Sequence, residues 1–220
     1  MYVPKFYQTD EISAKELIRR YPLAVLLTNG PRAPFATHLP TIVPPEDRAR
    51  LDAGKPLVGL TMFGHLNRNN PHWAALQSVG PSVLVFQGPN SYVSPTIYET
   101  TPAAPTWNFT SVHLHGTLRA IDDRETTLQI IRWTVEGFEA EFGANWDMRP
   151  SLGYFDRIVH DVGAFAFEIE AVDAMFKLSQ EQPAEVQERV VRSFATRESC
   201  SHHHELAKLM SRVNPAGNGS

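Results

Sequence analysis

The stretch GHLNRNNPHW, residues 64–73, gathers two histidines, three asparagines and an arginine into ten residues. It follows the apolar run PLVGLTMF, which predicts a buried strand over 57–63. His65 is therefore expected just after a strand end, where a side chain can project from the rim of a sheet into a cleft. Arg68 and Asn69 would surround it with hydrogen-bond donors, which suit an anionic partner such as a phosphate or a carboxylate.

A polar turn is the alternative interpretation of this stretch. Asn70 is a good N-cap for a helix that begins at Pro71, and His72 is then expected on the surface of that helix. The turn explains Asn70, but it leaves His65 and Arg68 without a role.

Three further histidines fall in predicted strands. In VHLHG, residues 112–116, His113 and His115 share one face of a strand, and two histidines at this spacing form half of a metal site. No carboxylate or cysteine lies nearby in the sequence, so a polar strand face is the alternative. His38, in ATHLP, is either a hydrogen-bonded core residue or a ligand.

Aromatic and polar motifs occur on both sides of this strand. The loop SYVSPTIYETTPAAP and the following PTWNF carry Tyr92 and Trp107, which indicate either a pocket wall for a planar ligand or a hydrophobic plug. In KLSQEQ, Lys177 and Gln180 could hold the acidic groups of a cofactor or form a solvated turn. The run His202–His204 predicts an exposed helix start, because adjacent histidines on a helix point in different directions and chelate one ion poorly.

The charge and cysteine content restrict the class of protein. The net charge is -4 with neutral histidines, and no run of lysine and arginine is present, so no nucleic-acid partner is expected. The single cysteine, Cys200, excludes an intrachain disulfide framework and fits a reducing cytoplasm. We find no signal peptide and no apolar run long enough to cross a bilayer, so we expect a cytoplasmic protein without membrane contact.

Short strands separated by turns predict a small barrel or sandwich in an α+β fold. The predicted strands are 23–28, 35–43, 57–63, 82–87, 111–121 and 164–169, and the clearest helix is 122–142, ended by Gly143. We assign residues 1–182 to one cofactor-binding domain. Residues 183–220 form a helical segment packed on the same domain, with a frayed end.

The order of the motifs resembles that of the PaiB-like family of FMN-binding negative transcriptional regulators. The motifs are MYVPKFY, ATHLP, GHLNRNNPHW, FQGPNSYVSP, PTWNF, VHLHG and FKLSQ, and they cover the chain from Met1 to about Gln182. The resemblance implies a split β-barrel with peripheral helices that forms a homodimer and binds a planar cofactor at the subunit interface. FMN, in a regulator or a flavoenzyme, is the cofactor of the alternative function.

A narrower set of motifs resembles the haem-dependent piperazate synthases, a branch of the same family. The motifs are VGLTMFGHLNRNNPHWAAL, PAAPTWNFTSVH, GYFDRI with VGAF, and MFKLSQEQ. This resemblance implies haem b as the cofactor and N5-hydroxy-L-ornithine as the substrate. The implied product is L-piperazate, formed by closing an N–N bond with loss of one water.

Under this hypothesis, His65 is the axial iron ligand, with His38 and His113 as rivals. His113 and Thr110 are the candidates for proton handling. Arg68 and Lys177 are expected at the propionates, with Ser94 and Gln180 assisting and Asn69 nearby. Tyr92, Trp107 and Phe63 are expected to pack against the macrocycle.

Overall fold

A computed structural model of the chain describes residues 1–52, 54–78, 80–196 and 201–213. The strands in these residues are β1 (Leu23–Thr28), β2 (Phe35–Ile42), β3 (Thr61–Asn67), β4 (Gly80–Val93), β5 (Thr106–Ile121) and β6 (Val162–Lys177). The helices are α1 (Glu11–Arg20), α2 (Pro45–Asp52), α3 (Pro71–Ala75), α4 (Arg124–Phe142), α5 (Leu152–Ile158), α6 (Ala184–Thr196) and α7 (Ser201–Val213). Short 3₁₀ helices occur at Lys5–Tyr7, Pro95–Ile97, Arg149–Ser151 and Val159–Asp161.

The chain divides into two compact units that interleave along the sequence. The barrel unit comprises Ile18–Phe86 and His113–Val172. The terminal unit comprises Met1–Leu17, Gln87–Val112 and the described residues from Asp173 onward. Strands β4, β5 and β6 each supply residues to both units, and α6 and α7 belong to the terminal unit. The proposed boundary after Gln182 stays a prediction.

The strands of the barrel unit close into a barrel in the order β1-β2-β3-β6-β5-β4. β1 pairs antiparallel with β2 and with β4, and β3 pairs antiparallel with β2 and β6. In β3, Met62, Gly64 and Leu66 are buried, and the alternate residues are more exposed. This period of two matches the alternation of side chains along a pleated strand.

β6 is buried on both faces in its first half. Phe165 and Phe167 are fully buried. Ala164 and Ala166 alternate with them along the strand and form a buried apolar cluster with Ile130 of α4. Burial on both faces explains why the sequence VGAFAF reads as a continuous apolar run.

Helix α4 ends at the predicted residue and begins two residues later than predicted, at Arg124. The Asp123 side chain accepts a hydrogen bond from the Thr126 backbone N–H at 2.7 Å, and Gly143 is the C-cap. The predicted helix over 122–142 is therefore confirmed, because both of its ends are determined locally. The predicted end of the third strand at residue 63 is wrong, since β3 continues through His65 to Asn67.

Candidate functional site

His65 lies inside β3 and has a buried ring nitrogen that no described residue engages. Its register partner is Ala164 on β6, and its Nδ1 atom is buried without a hydrogen-bond partner. Desolvation by burial lowers the pKa of His65 below its ordinary value, so the imidazole is neutral at pH 7. A neutral imidazole with an unused nitrogen has the chemistry that a metal ligand requires.

The surroundings of His65 explain this desolvation. Directly paired residues of an antiparallel sheet share a face, so Ala164 and Phe63 lie on the same face as His65. Phe63 packs against Trp133 with ring centroids 5.6 Å apart, and Ala164 is fully buried. The imidazole is thus bordered by apolar side chains, two of which are small alanines, Ala164 and Ala166.

Arg68 connects β3 to neighbouring segments of the barrel unit. Its Nε donates to the Val162 carbonyl oxygen and its Nη1 to Asp122 Oδ1, both at 2.9 Å, and its guanidinium lies 5.0 Å from the centre of the Trp73 ring. Asn69 is exposed, and its backbone N–H donates to the Asn67 side chain at 2.8 Å. These intrachain partners give both residues a structural role, and their predicted cofactor contacts stay predictions.

His72 is buried, so its expected place on a helix surface is wrong. Its Nε2 lies 2.8 Å from Thr28 Oγ1 and its Nδ1 lies 2.8 Å from Thr37 Oγ1, which joins α3 to β1 and β2. The ring also stacks on Phe35 at 5.2 Å. Asn70 caps α3 as predicted, with its side chain accepting from the His72 N–H at 2.9 Å. The threonine partners are distant in sequence, and no local pattern indicated them.

We expect the free energy of unfolding to fall as the pH drops from about 7 to about 5. Burial lowers the pKa of both His65 and His72 in the folded chain. Below the ordinary histidine pKa of about 6.5, these histidines are protonated in the unfolded chain but stay neutral in the folded chain. Because the unfolded chain binds more protons, acid favours unfolding. Urea denaturation across this range measures how the free energy of unfolding changes with pH. The change should be smaller in His72→Gln than in the parent chain. An equal slope in the variant and the parent contradicts the prediction.

The remaining strand histidines do not join His65 within the barrel unit. Gly116 lies against the Glu168 carbonyl, and Thr117 donates to Glu170 at 2.5 Å. The part of β5 that contains His113 therefore lies beside residues of β6 that follow Ala164 by several positions. His113 and His115 are half-buried, with ring centroids 6.4 Å apart. His38 is exposed on β2. Among the described residues, no group of three or more His, Cys, Asp or Glu side chains could hold a metal ion.

In the terminal unit, the motifs PTWNF and FKLSQ meet. Lys177 Nζ donates to Thr106 Oγ1 at 2.6 Å and lies 5.7 Å from the centre of the Tyr7 ring. The Asn108 amide donates to Ser179 Oγ at 3.0 Å, and the Ser179 hydroxyl can donate back to Asn108 Oδ1 at 3.2 Å. Asn108 and Ser179 are both fully buried. The sequence analysis missed this pair, whose members are 71 positions apart.

Replacing Asn108 by alanine is expected to lower the free energy of unfolding by about 2–3 kcal/mol. The change removes the hydrogen bonds to Ser179 and leaves its hydroxyl buried without a partner. Urea denaturation at neutral pH measures the loss. Asn69→Ala is the matched control, because Asn69 is exposed and its substitution should alter stability by less than about 0.5 kcal/mol. Equal losses in the two variants contradict the prediction.

The other predicted cofactor residues of the terminal unit have local roles. Tyr92 and Trp107 are 45% and 53% exposed, with ring centroids 6.2 Å apart, so a hydrophobic plug does not describe them. Ser94 caps a 3₁₀ helix by accepting from the Thr96 N–H at 3.3 Å. Gln180 closes a turn, with its Oε1 accepting from the Leu178 N–H at 2.7 Å.

Thr110 is fully buried in the terminal unit. Its Oγ1 has no hydrogen-bond partner among the described residues, and a Cβ atom added at Gly88 would lie 2.3 Å from it. Glycine is therefore required at position 88 for β4 to pass this hydroxyl closely. The predicted role of Thr110 in proton handling stays a prediction.

The histidine run at the start of α7 was expected to be exposed. His203 is instead buried, stacked on Phe194 at 4.9 Å, and its Nε2 lies 2.6 Å from Ser91 Oγ. His204, one position on, is exposed, so neighbouring histidines do point in different directions as predicted. Cys200 lies outside the described residues.

The closed barrel of six strands is the architecture of the split-barrel proteins. The chain belongs to the family described as "Putative FMN-binding domain", which matches residues 1–171. The PaiB-like family and the split-barrel fold predicted from the motifs are thereby confirmed. No helix in the described part of the chain is long and apolar enough to cross a membrane.

Two kinds of relative support this assignment. "Protease synthase and sporulation protein PAI 2" of Bacillus subtilis is 24% identical over 214 residues, which cover 96% of each chain. Among solved structures, the conserved hypothetical protein Rv2991 from Mycobacterium tuberculosis has a TM-score of 0.55 at 11% identity, covering 83% of this chain and 94% of its own. The flavocytochrome Anf3 from Azotobacter vinelandii has a TM-score of 0.54 at 16% identity, covering 80% of this chain and 72% of its own. At these identities the similarity shows the fold alone.

Proposed function

We propose that the chain is a haem-dependent piperazate synthase, which converts N5-hydroxy-L-ornithine to L-piperazate. The observation that carries this proposal is the buried, unpartnered Nδ1 of His65 in a ring that stays neutral at pH 7. The apolar side chains around it, Phe63, Ala164 and Ala166, explain why the imidazole stays neutral. A neutral imidazole with an unused nitrogen is a ligand that haem iron accepts, which supports haem b as the cofactor.

In this proposal His65 would hold the iron, and the apolar rings of Phe63 and Trp133 exclude water from the surroundings of the imidazole. Iron would supply Lewis-acid or transient redox chemistry at the hydroxylamine oxygen. The protein must also fold the flexible substrate so that its α-amine approaches the δ-nitrogen. Holding the two nitrogens close together lowers the entropic cost of ring closure. The hydrogen bonds from Arg68 to Asp122 and Val162 stabilise the turn that follows β3, the strand that carries His65.

The reaction is balanced without an external oxidant or reductant. The α-amine lone pair forms the N–N bond, and the electron pair of the N–O bond leaves with the oxygen. A proton from the α-amine and one hydroxide equivalent leave together as water. A histidine near the departing oxygen can deliver that proton, and we assign this role to His113.

In this proposal, His113 acts from a second subunit. Within one chain, His113 lies on a part of β5 that meets β6 well beyond the Ala164 partner of His65. We therefore propose that the protein acts as the homodimer that the family resemblance implies, with His113 supplied to each site by the other copy. The exposed aromatic pair Tyr92 and Trp107 would then be available to cover a planar cofactor.

Purified protein titrated with hemin, then incubated with N5-hydroxy-L-ornithine, tests the proposal. We expect a Soret band at one haem per chain and a product lighter than the substrate by one water. Binding of hemin without turnover would indicate a haem carrier and contradict the enzymatic proposal.

An FMN-binding regulator or flavoenzyme is the second candidate, favoured by the family description of residues 1–171. It predicts a yellow protein that takes up FMN in preference to hemin. Competition between the two cofactors, read by absorbance, distinguishes the candidates directly.

A further inference from the structure

A groove lies between α6 and α7, in a part of the chain beyond the family match. Its volume is about 690 Å³. The floor consists of short or small side chains, namely Val191, Ala195, Ala207 and Ser211, and the rim consists of His204, Lys208 and Arg212. None of these seven lining residues is acidic.

The rim residues follow one face of α7. His204, Lys208 and Arg212 are spaced four positions apart, which places them above one another on a helix, and all three are exposed. At 1.5 Å per residue the row extends for about 12 Å. Lys208 and Arg212 give this basic row two positive charges, whereas the whole chain has a net charge of -4 with neutral histidines.

The opposite face of α7 is fixed in the core of the terminal unit. Leu206 and Met210 are fully buried, and the Met210 sulfur accepts from the Asn108 amide at 3.5 Å. His203 stacks on Phe194 of α6 and pairs with Ser91 of β4. These contacts hold α7 beside α6, so the groove exists before any partner arrives.

We propose that this groove binds an acidic amphipathic helix of a partner protein. Acidic side chains at positions i, i+4 and i+8 of such a helix would pair with the row of His204, Lys208 and Arg212. Its small apolar residues would lie on the floor at Ala195 and Ala207, where short side chains allow two helices to approach closely. A helix in a groove with a complementary charged rim is a recurrent mode of peptide recognition.

The composition of the groove argues against the other occupants. A second copy that docked row against row across a two-fold axis would bring like charges together, which is unfavourable. A bilayer surface is recognised by bulky apolar side chains that project outward, whereas this floor is built from short or small side chains. A nucleic-acid backbone would use the cations but leave the apolar floor unoccupied.

The test uses the full chain and a fluorescent helical peptide of about 14 residues. The peptide carries glutamate at i, i+4 and i+8 and alanine or leucine on the adjoining face, and anisotropy measures its binding. We expect a Kd of roughly 10–100 µM, weakened at least about tenfold by the double change Lys208→Glu and Arg212→Glu. A peptide with lysine in place of glutamate should prefer the double variant to the parent chain. The control is Arg119→Glu, which reverses the charge of an exposed residue on β5. This variant should bind the acidic peptide as the parent chain does.

Several outcomes would overturn the proposal. These are no binding of the acidic peptide by the parent chain, equal binding of the two peptides, or an equal loss in Arg119→Glu. Displacement of the peptide by a duplex oligonucleotide or by phosphatidylserine vesicles at lower concentration would assign the groove to that class instead. Amide NMR shifts of the parent chain give a readout independent of variant folding, and the acidic peptide should perturb α6 and α7 most strongly.

Discussion

Replacing His65 by alanine is expected to abolish the Soret band of the hemin-loaded protein and to remove turnover. Loss of residues that merely support a metal ligand weakens metal binding by about 10–100-fold, so loss of the ligand itself should cost more than about 100-fold in hemin affinity. The buried Nδ1 of His65 has no partner among the described residues, so removing the ring breaks no hydrogen bond that they make with this atom. Hemin titration and the product assay measure the two effects separately.

The controls for this variant are the rival histidines. His38→Ala changes an exposed residue of β2 and should retain the spectrum and the turnover. His113→Ala should retain the spectrum but lose turnover, because it is assigned to proton delivery and not to ligation. Added imidazole should restore a Soret band in His65→Ala. Unchanged haem ligation in that variant would eliminate His65 as the ligand.

Replacing Gly116 by alanine is expected to destabilise the folded chain by about 3 kcal/mol or more. A Cβ atom at this position would lie 1.9 Å from the Glu168 carbonyl oxygen and 3.0 Å from the Phe167 ring. The nearest obstacle is backbone of the neighbouring strand and cannot rotate away, so β5 and β6 would have to separate locally. Urea denaturation of the purified variant, or its loss from the soluble fraction, measures the effect.

Gly80→Ala is the matched control for Gly116→Ala. Both glycines lie in strands, but a Cβ atom at Gly80 would meet nothing within 4 Å. The control should change stability by less than about 0.5 kcal/mol. Similar stability of the two variants would contradict the close approach of β5 and β6. The glycine that ends the motif VHLHG is thus explained by strand packing and not by the two histidines before it.

The sequence predicted those elements whose limits are set by neighbouring residues. Helix α4 is the clearest example, because Asp123 and Gly143 mark its ends within the segment itself. The lengths of β4, β5 and β6 were underestimated. β4 continues from the predicted strand at 82–87 through Gly88 and Pro89 to Val93, since pairing with other strands overrides the local preference for a turn.

The sequence indicated which residue types could form the candidate site. It did not indicate which residues their side chains contact in the fold. His65 has the neutral, unpartnered nitrogen that its proposed role requires. Arg68 and Gln180 have the donors that suggested cofactor binding, but Asp122 and Val162 accept from Arg68, and the Phe176 carbonyl oxygen accepts from the Gln180 amide. Which donors are already used depends on residues far away in sequence, and a single sequence contains no direct record of those pairs.

The end of the family match has a practical consequence for fragments of this protein. The match stops at residue 171, in the middle of β6, which runs to Lys177. A truncated gene that ended there would omit Lys177 and Ser179, the partners of Thr106 and Asn108. Such a fragment would leave β6 incomplete and the Thr106 and Asn108 side chains without these partners, conditions that favour aggregation during expression. We therefore expect a stable fragment to extend beyond the stretch that matches the family.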